Sequence, residues 1–105
     1  IEVKDFSVVA DIMSPSQVKV TKVTPKKKAM IVKFKKSSGA KKYEVQYSLK
    51  KNMKAAKVKT TKKTSIKIKK LKAKKTYYVR VRSYFENNGK KIYSPYSAKK
   101  KVTIK

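Results

Sequence analysis

Through most of this chain apolar side chains return at every second position, the repeat of a β-strand and not of a helix. Met30, Val32 and Phe34 alternate with Ile31 and Lys33, and Tyr43, Val45 and Tyr47 alternate with Glu44 and Gln46. Ile66 and Ile68 alternate with Lys67 and Lys69, with Leu71 following. Tyr77, Val79, Val81 and Ser83 alternate with Tyr78, Arg80, Arg82 and Tyr84. Val18, Val20 and Val23 mark an earlier strand that ends near Pro25, and a weaker one over 55–60 has Val58 as its one strong apolar residue. Ile92 and Tyr93 open a last segment, Ser94-Pro95-Tyr96-Ser97 interrupts it, and Val102 and Ile104 close it. Turn-forming runs separate these segments: Lys26-Lys27-Lys28, Ser37-Ser38-Gly39 and Glu86-Asn87-Asn88-Gly89. The last is a strong hairpin signal, because Asn and Gly tolerate positive φ. The pattern predicts an all-β chain of about seven short antiparallel strands, built as a sandwich or barrel.

At 105 residues the chain has room for one domain with one hydrophobic core. It contains neither Cys nor His. Disulfides, thiolate or imidazole metal sites, Cys or His nucleophiles and a histidine pH switch are therefore excluded. Five carboxylates remain, three of them (Glu2, Asp5, Asp11) near the start and two (Glu44, Glu86) isolated among basic residues. The only glycines are Gly39 and Gly89, so there is no Gly-rich phosphate loop. We expect no cofactor, no metal and no catalysis. The longest purely apolar run is Ala29-Met30-Ile31-Val32, far short of the roughly 18 residues of a membrane helix, so no membrane insertion is expected. The first residue is Ile1, which reads as a mature segment or a piece of a longer protein.

Charge sets the functional expectation. The chain carries 30 Lys and 2 Arg against 5 acids, a formal charge of +27, and residues 15–105 alone carry +29. Arg reads base edges and phosphates in bidentate fashion, whereas Lys is a hydrated point charge. A chain this rich in Lys suits diffuse attraction to a polyanion better than sequence readout. If Met30, Val32, Phe34, Ile66 and Ile68 point inward, then Lys33, Lys35, Lys67 and Lys69 share one outer face, either as a solvated surface or as an anion-binding one. Tyr78, Arg80, Arg82 and Tyr84 form a second outward row, with Glu44 and Gln46 across from it. That row is either an ordinary cross-strand ladder or a place for sugar rings or bases to stack. The Lys-rich turns read as solvated loop charge.

The order of residues from about 17 to 105 resembles a fibronectin type III domain. Leu71, Tyr77, Val79 and Val81 are similar to that family's Leu, its Tyr six residues on, and the Val-x-Val strand that follows. Tyr43-Glu44-Val45-Gln46-Tyr47 resembles its third strand, and Ser94-Pro95-Tyr96-Ser97 its last-strand opening. The resemblance implies a seven-stranded immunoglobulin-like sandwich in which Tyr77 bonds to backbone at the corner between the fifth and sixth strands. Where the family usually buries a Trp on its second strand, this chain has Phe34. The wording is that of bacterial members, which sit in tandem in surface proteins or beside catalytic domains in secreted enzymes, and this implies an extracellular location. Residues 1–16 fall before the domain, as a linker or the end of a preceding one.

The combined expectation is a non-catalytic spacer and adhesion module of a larger bacterial secreted or cell-surface protein. Its partners would be flanking domains of the same polypeptide and an anionic polymer such as teichoic acid or an acidic or host glycan. The alternatives are a nucleic-acid-binding basic domain and an accessory module of a carbohydrate-active enzyme.

Overall fold

The computed structural model of the protein describes residues 15–105, so the readings placed on residues 1–14 lie outside the described residues. Among the described residues eight strands form: β1 (Val20–Lys26), β2 (Ala29–Phe34), β3 (Lys42–Ser48), β4 (Lys57–Thr61), β5 (Ser65–Ile68), β6 (Thr76–Asn87), β7 (Lys90–Tyr93) and β8 (Lys100–Thr103). β1, β2 and β5 make one sheet in the order β1-β2-β5. The other runs β4-β3-β6-β7, with β8 also paired to β6. Every pairing is antiparallel. The two sheets enclose one core, and Met30, Val32, Phe34 and Ile68 from the first meet Val45, Tyr47, Val79 and Val81 from the second. Burying each of these large side chains contributes about 1.5–3 kcal/mol before chain entropy is counted. Phe34 is buried at 4.8 Å, centroid to centroid, from Tyr43, so the position of the usual Trp keeps an aromatic in the core.

The expected count of seven strands is corrected to eight, because the last one is split. β6 is twelve residues long, and both later strands lie along the same edge of it. β8 pairs with Thr76–Val79 and β7 with Tyr84–Asn87. Between them Pro95 has no N–H to give, and serine hydroxyls take over the ladder. The Ser94 N–H donates to Ser83 O (2.9 Å), and the Ser83 N–H donates to Ser94 Oγ (2.9 Å). The Ser97 N–H donates to Val81 O (2.7 Å), and the Val81 N–H donates to Ser97 Oγ (2.9 Å). Each serine thus offers donor and acceptor from one residue, so the buried backbone of β6 stays paired across the break.

Tyr77 lies buried, and its hydroxyl accepts the Lys72 N–H at 2.9 Å, which closes the corner between β5 and β6. The β6–β7 hairpin turns on Asn88 (φ 53°) and Gly89 (φ 80°), two positive-φ residues that match the right-handed twist of the flanking strands. β4 turns its one strong apolar residue to water. Val58 stands beside Gln46 on the outward side and is 46 % exposed, while Lys57 and Lys59 occupy the inward row opposite Tyr47 and Val45. This is tolerable only at a sheet edge, where long Lys stems swing out to water and the charges deter a further strand from pairing.

The first and last described residues, Pro15 and Lys105, lie at opposite ends of the sandwich. Pro15 is buried, and Ser16 O accepts hydroxyl bonds from Ser37 and Ser83 beside the β2–β3 turn. Lys105 O accepts the Lys28 N–H (3.1 Å) at the β1–β2 turn. β2 spans the distance between those turns.

Candidate functional site

Three surfaces carry the chemistry. The outer face of the three-stranded sheet presents Lys33 opposite Ser65 and Lys67 opposite Ile31, so these two ammonium groups are diagonal neighbours, about 7 Å apart at the backbone. Lys22 stands directly opposite Lys33 on the other side. Sequence reasoning missed Lys22, because a register shift between Val20 and Lys22 decides which residue of β1 reaches that row. Lys35 follows the end of β2 and is exposed, with its N–H bonded to Lys19 O. Lys69 follows the end of β5 and lines a cleft. Lys33 and Lys67, with Lys22, are the residues that the sheet register sets side by side, and Lys35 and Lys69 lie just past the ends of the same two strands. Among the described residues the only carboxylates are Glu44 and Glu86, and both belong to the other sheet.

The second surface is the outer face of the five-stranded sheet. Its register sets Arg82 across from Glu44 and Arg80 across from Gln46, as alternation predicts. The Arg82 Nε–H donates to Glu44 Oε2 at 2.7 Å, and the Arg80 Nε–H donates to Gln46 Oε1 at 2.9 Å. The rings that stack on these guanidinium groups are not Tyr78 and Tyr84 but Tyr93 and Tyr96. Arg82 Cζ lies 3.5 Å from the Tyr93 centroid and 4.6 Å from that of Tyr96, and Arg80 Cζ lies 3.8 Å from the Tyr96 centroid. Gln46 Nε2 donates to the Tyr96 hydroxyl at 2.9 Å. Tyr84 is buried, with Tyr93 at 5.4 Å on it and Lys91 Nζ at 5.2 Å from its ring. Tyr78 is half-buried opposite Ser48. The order is a continuous stack: Arg80, Tyr96, Arg82, Tyr93, Tyr84, Lys91. Cation–π attraction and the Glu44 ion pair hold it together. Both faces of Arg82 are covered, which makes the row a brace that clamps the interrupted edge segment onto β6. The signal for it was the repeat Tyr93-Ser94 and Tyr96-Ser97, in which each Ser turns to the β6 backbone and each Tyr to the outside.

The third surface is a cleft of about 390 Å³ where the sheets part beside β4. Its apolar wall is Tyr47, Leu49, Leu71 and Tyr77, with the Tyr47 and Tyr77 rings 6.3 Å apart. Its rim is Lys57, Lys59, Lys69, Lys70 and Lys72. Burial pushes the Tyr47 phenol above its ordinary 10.0, and neighbouring Tyr77 adds to the rise, so this hydroxyl stays protonated at neutral pH. Among the described residues no group of His, Cys, Asp or Glu could hold a metal ion. Among the described residues no helix is long and apolar enough to cross a membrane.

A family model described as "Fibronectin type III domain" matches residues 13–99. No curated protein matches the chain in sequence. Among solved structures, the sixth fibronectin type III domain of human fibronectin type III domain containing protein 3 superposes with a TM-score of 0.68 at 18 % identity, covering 87 % of this chain and 86 % of that one. The FN1–FN3 domains of chicken CNTN1 give a TM-score of 0.67 at 19 % identity over 81 % of this chain, which spans 30 % of that structure. FN3tt mut gives 0.63 at 16 % identity, covering 85 % of this chain and 94 % of that one. At these identities the likeness is one of fold.

Proposed function

This chain belongs to the fibronectin type III domain family, and from that premise we propose that it is a non-catalytic spacer and adhesion module of a larger bacterial secreted or cell-surface protein. Its lysine-covered sandwich holds to anionic polymers such as wall teichoic acid or acidic glycans. The observation that carries the reading is the charge distribution. Residues 15–105 hold 31 basic side chains and two carboxylates, and one of those carboxylates is already bound to Arg82. Lys22, Lys33 and Lys67 stand together on a face without an acid among the described residues. Such a surface attracts a polyanion by releasing its condensed counterions. Entry and exit at opposite ends suit a module strung between neighbours, and CNTN1 is a protein in which such domains follow one another.

Titration with teichoic acid and with heparin at about 50 and about 200 mM NaCl tests the polymer role. The expected result is tight binding at the lower salt and a steep linear loss in log–log coordinates. Lys33→Glu should make that slope shallower. It should also raise stability by about 0.5 kcal/mol, because the repulsive Lys22–Lys33 pair becomes attractive. Absence of binding at low salt would remove the attachment role. A marked preference for single-stranded DNA over heparin of equal charge would favour the nucleic-acid alternative.

A further inference from the structure

We infer that the cleft between the sheets beside β4 is a binding site for a soluble single-chain anionic amphiphile, an alkyl or aryl chain with a phosphate or carboxylate head. This inference is independent of polymer binding on the outer face. The cleft is assembled from three separated stretches: the end of β3 with Leu49, the start of β4, and the β5–β6 connection. Its volume falls within the range of small-molecule sites, and it combines an apolar wall with a polar rim as those sites do. Leu49 is 43 % exposed there, one of two large hydrophobic side chains so placed among the described residues. An apolar chain laid against Leu49 and Leu71 would cover it.

The rim argues the charge of the occupant. Among the described residues five lysines surround the opening and no carboxylate lines it. Lys57 and Lys59 arrive from the inward row of β4, so their stems line the cleft before the ammonium groups reach water at its mouth. Lys69, Lys70 and Lys72 close the other lip. An uncharged ligand would leave these like charges uncompensated, a cationic one would be repelled, and an anionic head relieves them. Inorganic phosphate alone would leave the apolar wall unused. The lips are held in a costly shape as well: Ala55 (φ 56°) and Lys70 (φ 60°) both line the cleft with left-handed backbone, a conformation that side chains other than Gly rarely adopt. The protonated Tyr47 hydroxyl supplies a hydrogen-bond donor at the wall.

The test is an NMR titration of the chain with decyl phosphate below its micelle concentration. Inorganic phosphate, octyl glucoside and phosphatidylglycerol vesicles serve as parallel arms. The expected result is saturable shifts of the Leu49, Ala55 and Leu71 methyls with decyl phosphate, none with inorganic phosphate, and binding at least about tenfold weaker with the neutral glucoside. Lys57 and Lys69 are exposed, so the double variant Lys57→Gln/Lys69→Gln should keep the β6 amide spectrum intact while weakening decyl phosphate about tenfold, a few-fold per lost charge at contact distance in water. Leu49→Ser should weaken decyl phosphate and leave heparin retention unchanged, which separates this site from the polymer face. Shifts that fail to saturate, equal binding of octyl glucoside, or association with vesicles only would overturn the inference.

Discussion

Replacing Ser97 by Ala isolates the role of the interrupted edge. The Ser97 hydroxyl is the acceptor for the Val81 N–H, and Val81 is fully buried at the centre of β6. The substitution removes one oxygen and leaves almost no void, so packing loss is small. What remains is a backbone donor with no acceptor and no access to water, which costs about 1–3 kcal/mol. For a chain near 100 residues this lowers the melting temperature by roughly 4 °C per kcal/mol. Tyr77→Phe is the matched comparison. It also deletes one acceptor of a backbone N–H, but that N–H belongs to exposed Lys72, where water can replace the phenol. Its cost should be about 1 kcal/mol or less. Urea unfolding, with an unchanged slope against denaturant, measures both. Amide exchange adds a local reading: Val81 should exchange faster in Ser97→Ala, while Val79, held by its ladder partner Lys100, should not. A cost for Ser97→Ala within about 0.5 kcal/mol of zero, or one smaller than that of Tyr77→Phe, would refute the argument that serine hydroxyls carry the ladder across the break.

Two further outcomes follow from the five-stranded sheet. Arg82→Met should destabilise by about 2–3 kcal/mol, because it leaves Glu44 buried without its partner and uncovers Tyr93; adding Glu44→Met should restore much of the loss, and equal costs for the single and double variants would show that the ion pair is not what matters. Tyr47 should ionise above the ordinary tyrosine value of 10.0 in an absorbance titration, read as the difference between the protein and Tyr47→Phe. Above pH 10 the unfolded chain then releases the Tyr47 proton while the folded chain keeps it, so this group's contribution to stability falls as pH rises; the difference between the protein and Tyr47→Phe across that range measures it, free of the simultaneous titration of the lysines.

How far the structure was legible in the sequence depended on whether a feature is local. Alternation on β2, β3, β5 and β6 is written in consecutive residues, and each of those strands forms with the expected face inward. β4 misleads for a physical reason: at an edge, Lys57 and Lys59 satisfy an inward register by reaching past the sheet, so its one strong apolar residue, Val58, faces water. The Tyr78, Arg80, Arg82 and Tyr84 row was readable, and so were its cross-strand partners Glu44 and Gln46. The rings that cover it were not, because Tyr93 and Tyr96 reach the guanidinium groups only through the register of a broken strand. The split of the last strand was visible as Ser94-Pro95-Tyr96-Ser97, but continuous pairing by hydroxyls depends on where β6 lies. The cleft draws on three stretches far apart in the chain, and no local pattern marks it.

The placement of Pro15 and Lys105 at opposite ends has a mechanical consequence. Tension between neighbours would run lengthwise through β1 and β8, so their hydrogen-bonded rungs would be sheared together instead of peeled one at a time. β1 is gripped by β2 over six paired positions; β8 has four with β6, and Ile104 lengthens that clamp by donating its N–H to Lys75 O and accepting the Lys74 N–H, so neither terminal strand offers a short seam that a stretching force could unzip.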